Sequence, residues 1–176
     1  MISKKIEALL NKQIQQEGYA SYFYLGMASW CDYNGLEGCA KFLYSQSEEE
    51  RDHMLKLFNY IGEAGGQALA PEINKIPKDF KNVVNVFNLA LKQEQSNTKS
   101  INNLADICLK EKDYSTFNFL QWYVAEQHEE EMLFKMILDK IAIIGTDGQG
   151  VYLIDNEVAK IAENKPVPPS QEQEQE

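Results

Sequence analysis

The 176-residue chain carries 27 acidic residues against 17 Lys and Arg, a formal net charge of −10. That balance argues against nucleic acid or an anionic membrane as a partner, while admitting cations. With 44 % apolar and 25 % charged residues, the composition is that of one globular domain with a sizeable core.

The opening segment MISKKIEALLNKQ is amphipathic and lacks a continuous apolar run, so it is read as helix and not as a signal peptide. A first helix over 4–32 follows from the stripe Ile6, Leu10, Gln13, Glu17, Ala20, Tyr24, Met27, Cys31. DYNGLEG (32–38) breaks it. A second helix over 36–62 carries Leu36, Cys39, Leu43, Gln46, Glu50, His53, Leu57 and Tyr60 on one stripe. EAGGQALAPEINKIPKDF (63–80) is a long connection. The third helix, 81–109, shows Val83, Phe87, Ala90, Glu94, Thr98, Ile101, Ala105 and Cys108. The fourth, 113–142, shows Thr116, Leu120, Tyr123, Gln127, Glu130, Phe134, Ile137 and Ile141. After GTDGQG (145–150) a shorter fifth helix carries Val151, Ile154, Val158 and Ile161. The Pro-rich polar stretch 165–176 is expected to be a disordered tail, leaving 1–164 as one domain.

Steps of three and four along each stripe describe the seam of a helical bundle. The first–second and third–fourth links are short, so those pairs are antiparallel. The long link can run the length of the bundle, which makes the second and third helices parallel. The expected fold is all-α, a four-helix bundle with one long crossover and a short fifth helix. No stretch approaches membrane-spanning length. Cys31, Cys39 and Cys108 have no paired short spacing and read as buried, reduced thiols of a cytoplasmic protein.

The seams are not wholly apolar. Near each midpoint stand ionisable or amide residues: Glu17; Glu50 and His53; Glu94; Gln127 and Glu130. Helix midpoints stay level whichever way the helices run, so these residues meet in one interior layer. Four buried carboxylates cannot all ionise unaided. Either they form a protonated hydrogen-bond network or they hold cations. Coincidence on all four helices, with a histidine one turn from a glutamate, favours cations. Carboxylates with one imidazole suit iron or manganese, and Glu50 is best placed to bridge two metals. A lone Glu from each of two helices plus Glu-x-x-His from the others is the general di-iron bundle pattern. Here Glu17 and Glu94 are the lone glutamates, Glu50-x-x-His53 is one motif, and the other is altered to Gln127-x-x-Glu130.

Through EGYASYFYL around Glu17, EEERDHM around Glu50, KQEQ around Glu94 and AEQHEEE around Gln127 and Glu130, the chain resembles the bacterial non-haem ferritins over residues 1–164. The resemblance implies a ferroxidase centre in each subunit of a hollow 24-subunit shell that stores hydrated ferric oxide. It implies Glu17, Glu50 and His53 as ligands of a first iron, and Glu50, Glu94 and Glu130 as ligands of a second, with Gln127 as a hydrogen-bonding neighbour. It further implies a third iron site at Glu49, Glu126, Glu129 and Glu130, whose plain alternative is a solvated acidic face. Tyr24 maps onto a tyrosine associated with electron transfer, with a core aromatic role as the alternative. Trp122 reads as a packing residue, and His128 falls off the seam. Arg51 stands where a haem-ligating Met would follow the ligand Glu in a bacterioferritin, so no haem is expected. There is no Cys-x-x-Cys pair of the rubrerythrin kind.

The reaction the resemblance implies is oxidation of Fe(II) by O2 or H2O2 by a ferroxidase. Lacking the second histidine, the second and third irons are expected to exchange as substrate. The alternative is a non-storing di-iron oxidase or peroxidase of smaller oligomeric state.

Overall fold

A computed structural model of the chain describes residues 2–163; the sequence-predicted tail, 165–176, lies outside the described residues. The helices are α1 (Lys4–Tyr33), α2 (Glu37–Glu63), α3 (Val83–Lys110), α4 (Tyr114–Ile144) and α5 (Gly148–Glu163). Thirty residues make α1 about 45 Å long. All five fall within a few residues of the segments read from periodicity.

Local chemistry sets the ends. Ser3, Asn82 and Asp113 cap α1, α3 and α4, accepting from the backbone N–H of Ile6, Asn85 and Thr116 at 3.2, 2.8 and 3.0 Å. Gly35, at φ +75°, turns the chain out of α1, and the Leu36 N–H returns to the Cys31 carbonyl at 2.9 Å. The start of α2 is different: Leu36 offers no capping side chain. Its free N–H groups at Gly38 and Cys39 are taken by Asp155 of α5, at 3.0 and 2.8 Å. A Cβ at position 38 would stand 2.2 Å from the Asp155 carbonyl oxygen, so only glycine lets α5 come this close.

The crossover, 64–82, runs along α1 from its first turns to its last. Asn11 bonds the backbone of Gln67 and Leu69, Gln15 bonds the Glu72 carbonyl, and Phe80 packs edge-on against Trp30. A Cβ at Gly26 would meet the Ile76 side chain at 2.8 Å. The segment thus returns the chain to the far end of the bundle, and α2 and α3 run parallel.

The predicted seams of α1 and α4 are buried throughout, as is that of α2 except for the half-buried Tyr60. On α3 the seam passes through Asn97, which is buried, and not through Thr98, which is half-buried. The apolar core is divided in two. One cluster contains Met27, Phe42, Phe87 and Phe134 and takes in Ile154 and Val158 of α5. The other contains Leu10, Leu57, Ile101 and Leu120. Between them lies the polar layer. Among the described residues no helix is long and apolar enough to cross a membrane.

Candidate metal centre

Each element brings its polar residue to the same level because each seam turns inward there. Glu17, Glu50, His53, Glu94, Gln127 and Glu130 are all buried, and His53, the most exposed, is only 5 % accessible. Tyr24, one seam step beyond Ala20, is also buried and donates its hydroxyl to Glu94 Oε1.

Three of the four carboxylates are supplied with donors. Glu17 receives Gln13 Nε2 on Oε1 at 2.8 Å and Asn97 Nδ2 on Oε2 at 2.9 Å. Glu94 receives Tyr24 and, on Oε2, Gln127 Nε2 at 2.8 Å. Glu130 receives Gln46 Nε2 on Oε2 at 2.9 Å. Glu50 is the exception: its Oε2 is buried with no hydrogen-bond partner, and the nearest cationic candidate, His53 Nδ1, stands 3.5 Å away. The imidazole is fixed by its surroundings, with Trp122 and Tyr123 edge-on at 5.2 and 6.2 Å and the Tyr123 hydroxyl on the His53 carbonyl at 2.7 Å.

Burial, reinforced by the charge of Glu17, holds the Glu50 carboxyl well above the usual carboxylate range in the metal-free chain. Burial also raises Glu94, with Glu50 and Glu130 adding to it and the Tyr24 hydroxyl opposing. Tyr24 is raised by burial and then by Glu94 and Glu50, which keeps it a hydroxyl donor. Charging all of these carboxyls without a cation is costly. Glu17, Glu50 and His53 each offer a ligand atom within 4.8 Å of the others. Oxygen and imidazole donors around an unsatisfied carboxylate oxygen suit iron.

A second group of ligand atoms within 4.8 Å of one another comprises Glu49, His53 and Glu126. Glu49 and Glu126 are half-buried, so two of the four residues expected at a third site approach each other, grouped with His53 and not with Glu129 or Glu130. Glu130 is buried in the layer, and Glu129 is exposed beside it on α4. Lys56 borders this group, its ammonium 3.3 Å from the centroid of the Trp122 ring. Arg51, Glu48 and His128 are exposed.

Sequence reasoning did not single out Gln13, Gln46 or Asn97. The first two lie on the predicted stripes, where an amide next to a seam glutamate is the available signal. Asn97 had no signal, since steps of three then four and of four then three from Glu94 both reach Ile101.

Four long helices, one crossover and a carboxylate–histidine layer define a ferritin-like bundle. The family model of the ferritin-like domain matches residues 7–144. A bacterial non-haem ferritin of Campylobacter jejuni is 48 % identical over 162 residues, covering 92 % of this chain and 97 % of its own length. One of Escherichia coli is 42 % identical over 164 residues, covering 92 % and 98 %. A solved open-pore ferritin from the hyperthermophilic archaeon Archaeoglobus fulgidus superposes with a TM-score of 0.88 at 37 % identity, over 90 % of this chain and 98 % of that one. The chain belongs to the ferritin family, in its bacterial non-haem branch.

Proposed function

We propose that the protein is an iron-storage ferroxidase. Glu17, Glu50 and His53 hold one Fe(II), and Glu50, Glu94 and Glu130 hold a second, with Glu50 bridging. The observation that carries this reading is Glu50 Oε2, buried without a donor among ligand-competent neighbours. A carboxyl left so in a folded core is neutralised by a proton or by a cation, and a bridging position supplies two cations.

The substrates are Fe(II) and an oxidant. Each iron gives up one electron. Dioxygen takes two electrons and two protons and leaves as hydrogen peroxide; hydrogen peroxide taken as oxidant accepts the same and leaves as two waters. The chain contributes position, the bridging ligand and charge neutralisation. Gln127, donating to Glu94, orients that ligand, and the Tyr24 hydroxyl, donating to the other Glu94 oxygen, holds it from the opposite side. Fe(III) hydrolyses, releases protons and leaves by way of a third site at Glu49, Glu126, Glu129 and Glu130. Ferric oxide then accumulates inside a shell of 24 copies in the cytoplasm. Carboxylate ligands without a second imidazole favour exchange over retention, so the second and third irons turn over as substrate.

Gel filtration combined with aerobic Fe(II) addition tests the reading. The expected result is a particle of several hundred kilodaltons that takes up hundreds of irons and loses rapid oxidation in Glu50→Ala. A small oligomer with two tightly held irons would replace the storage reading with a non-storing di-iron oxidase.

A further inference from the structure

The amide of Asn97 joins the two halves of the centre. Asn97 is 1 % exposed, and its side-chain amide bonds Glu17, Gln127 and Gln13. Its Nδ2 donates to Glu17 Oε2 and to Gln127 Oε1, both at 2.9 Å, and its Oδ1 accepts from Gln13 Nε2. Gln127 then donates its own Nε2 to Glu94 Oε2 at 2.8 Å. The result is a continuous chain from the lone glutamate of α1 to the lone glutamate of α3, through one amide on α3 and one on α4.

The direction of this chain follows from donor chemistry. A metal-ligating carboxylate only accepts, so the amide facing Glu17 must present its NH2 group. The same NH2 group supplies a second hydrogen to Gln127, which must therefore present its oxygen. With its oxygen so engaged, Gln127 turns its NH2 toward Glu94. Were Asn97 unable to donate, Glu94 alone would hold this orientation, and the Gln127 carbonyl oxygen would lose its partner. That oxygen could then face Glu94 and the metal beside it.

We infer that Asn97 is a positioning residue that holds Gln127 as a donor to Glu94, so that the metal position built on Glu94 and Glu130 depends on an amide that touches no metal. This rests on the dinuclear reading above. Losing a hydrogen-bonding partner of a metal ligand weakens metal affinity by roughly 10–100-fold in general, and an effect of that size is expected here through Gln127.

The test is a double-mutant cycle read by calorimetry with Zn²⁺, which is redox-inert, on the assembled full-length protein. Asn97→Leu and Gln127→Leu are each expected to weaken the lower-affinity of two Zn²⁺ events by roughly 10–100-fold. The double variant is expected to lose no more than the worse single variant. Wild-type affinity in Asn97→Leu, which keeps the volume and removes both donors, would show that packing alone matters and overturn the inference. So would a double variant whose loss is the product of the two single losses. If wild-type protein takes up no Zn²⁺ that Glu50→Ala loses, the dinuclear reading fails and this inference with it. If wild type binds and Asn97→Leu binds equally well, this inference alone fails.

Discussion

Two carboxylates removed from bulk water are treated in opposite ways. Asp155, half-buried on α5, has both oxygens engaged by the first free N–H groups of α2, at 3.0 and 2.8 Å. Glu50, in the middle of the same helix, has an oxygen buried with nothing to accept from. The first satisfies and is satisfied: it completes a helix end that Leu36 leaves uncapped, and locks α5 to the bundle. The second is left for something the chain does not itself provide. The contrast separates a carboxylate that builds the fold from one that the fold holds ready, and it assigns different consequences to removing each.

The largest expected effect is on Glu50. Glu50→Gln keeps the volume and discards the charge. Its initial rate of aerobic Fe(II) oxidation should fall by more than the roughly 100-fold seen at the upper end for loss of a ligand's outer partner. The metal-free melting temperature of the same variant should not fall, since the group removed is one the empty core disfavours in its charged form. A variant that melts earlier while oxidising normally would reverse the contrast.

Next comes pH. Burial raises Glu50 and Glu94 above the ordinary carboxylate value of 4.5 in the folded chain. The folded state therefore keeps protons that the unfolded chain releases. Their contribution to metal-free stability is complete below pH 4.5 and is lost as pH rises from there through the raised folded values. The slope is at most about 1.4 kcal/mol per pH unit for each proton held. Metal-loaded protein, its ligands already deprotonated, should lack this decline. Melting curves with and without Zn²⁺ across that range check it. A metal-free protein that gains stability over the same interval through these two groups would contradict the assigned direction.

Much of this was legible in the sequence, and the exceptions have physical reasons. The four seams and the level polar layer follow from residues such as Glu17 and Gln127, because a helix repeats its inward face every three or four positions. The same arithmetic cannot choose between Asn97 and Thr98, which both complete a step to Ile101. The chain of amides was therefore invisible, although it determines which way Gln127 points. Asp155 was invisible for another reason. It caps α2 through Gly38, 117 residues away from it, and no local pattern announces a cap supplied by a distant helix. A carboxylate on an apolar stripe is conspicuous, and Gln127 stands out by its spacing to Glu130; Gln13 and Gln46 are amides with no such motif around them.

On the structural side of the contrast, Gly38→Ala drives a Cβ toward a backbone oxygen 2.2 Å away. Relief requires α5 to move, at a cost of about 1–3 kcal/mol for overpacking. Asp155→Ala removes the borrowed cap and should cost about 0.5–2 kcal/mol. Both should lower the melting temperature while leaving the oxidation rate per centre within about twofold, because neither side chain takes part in the polar layer. A large rate loss in either variant would mean that the α5 dock and the layer are not independent.

The smallest effect lies on the outside of the same dock. Glu157 is half-buried, its side chain 31 % exposed, and it accepts from Lys140 of α4 at 2.8 Å and from Lys160 at 2.6 Å. The lysines, Lys140 foremost, pull its carboxyl down to about 2. A depressed carboxylate stabilises above its unfolded value of 4.5 and loses that contribution as pH falls toward about 2. Its charge faces water, so the pair is weak and screened by salt. Glu157→Gln should speed amide exchange in α5 slightly at neutral pH and low salt, with no difference from wild type below pH 2 or at high salt. Asp155→Ala should instead speed exchange in α5 and at the start of α2 at any salt concentration, since its bonds are made to backbone N–H groups. If the two variants responded to salt alike, the distinction between a carboxylate built into the fold and one merely resting on its surface would not hold for α5.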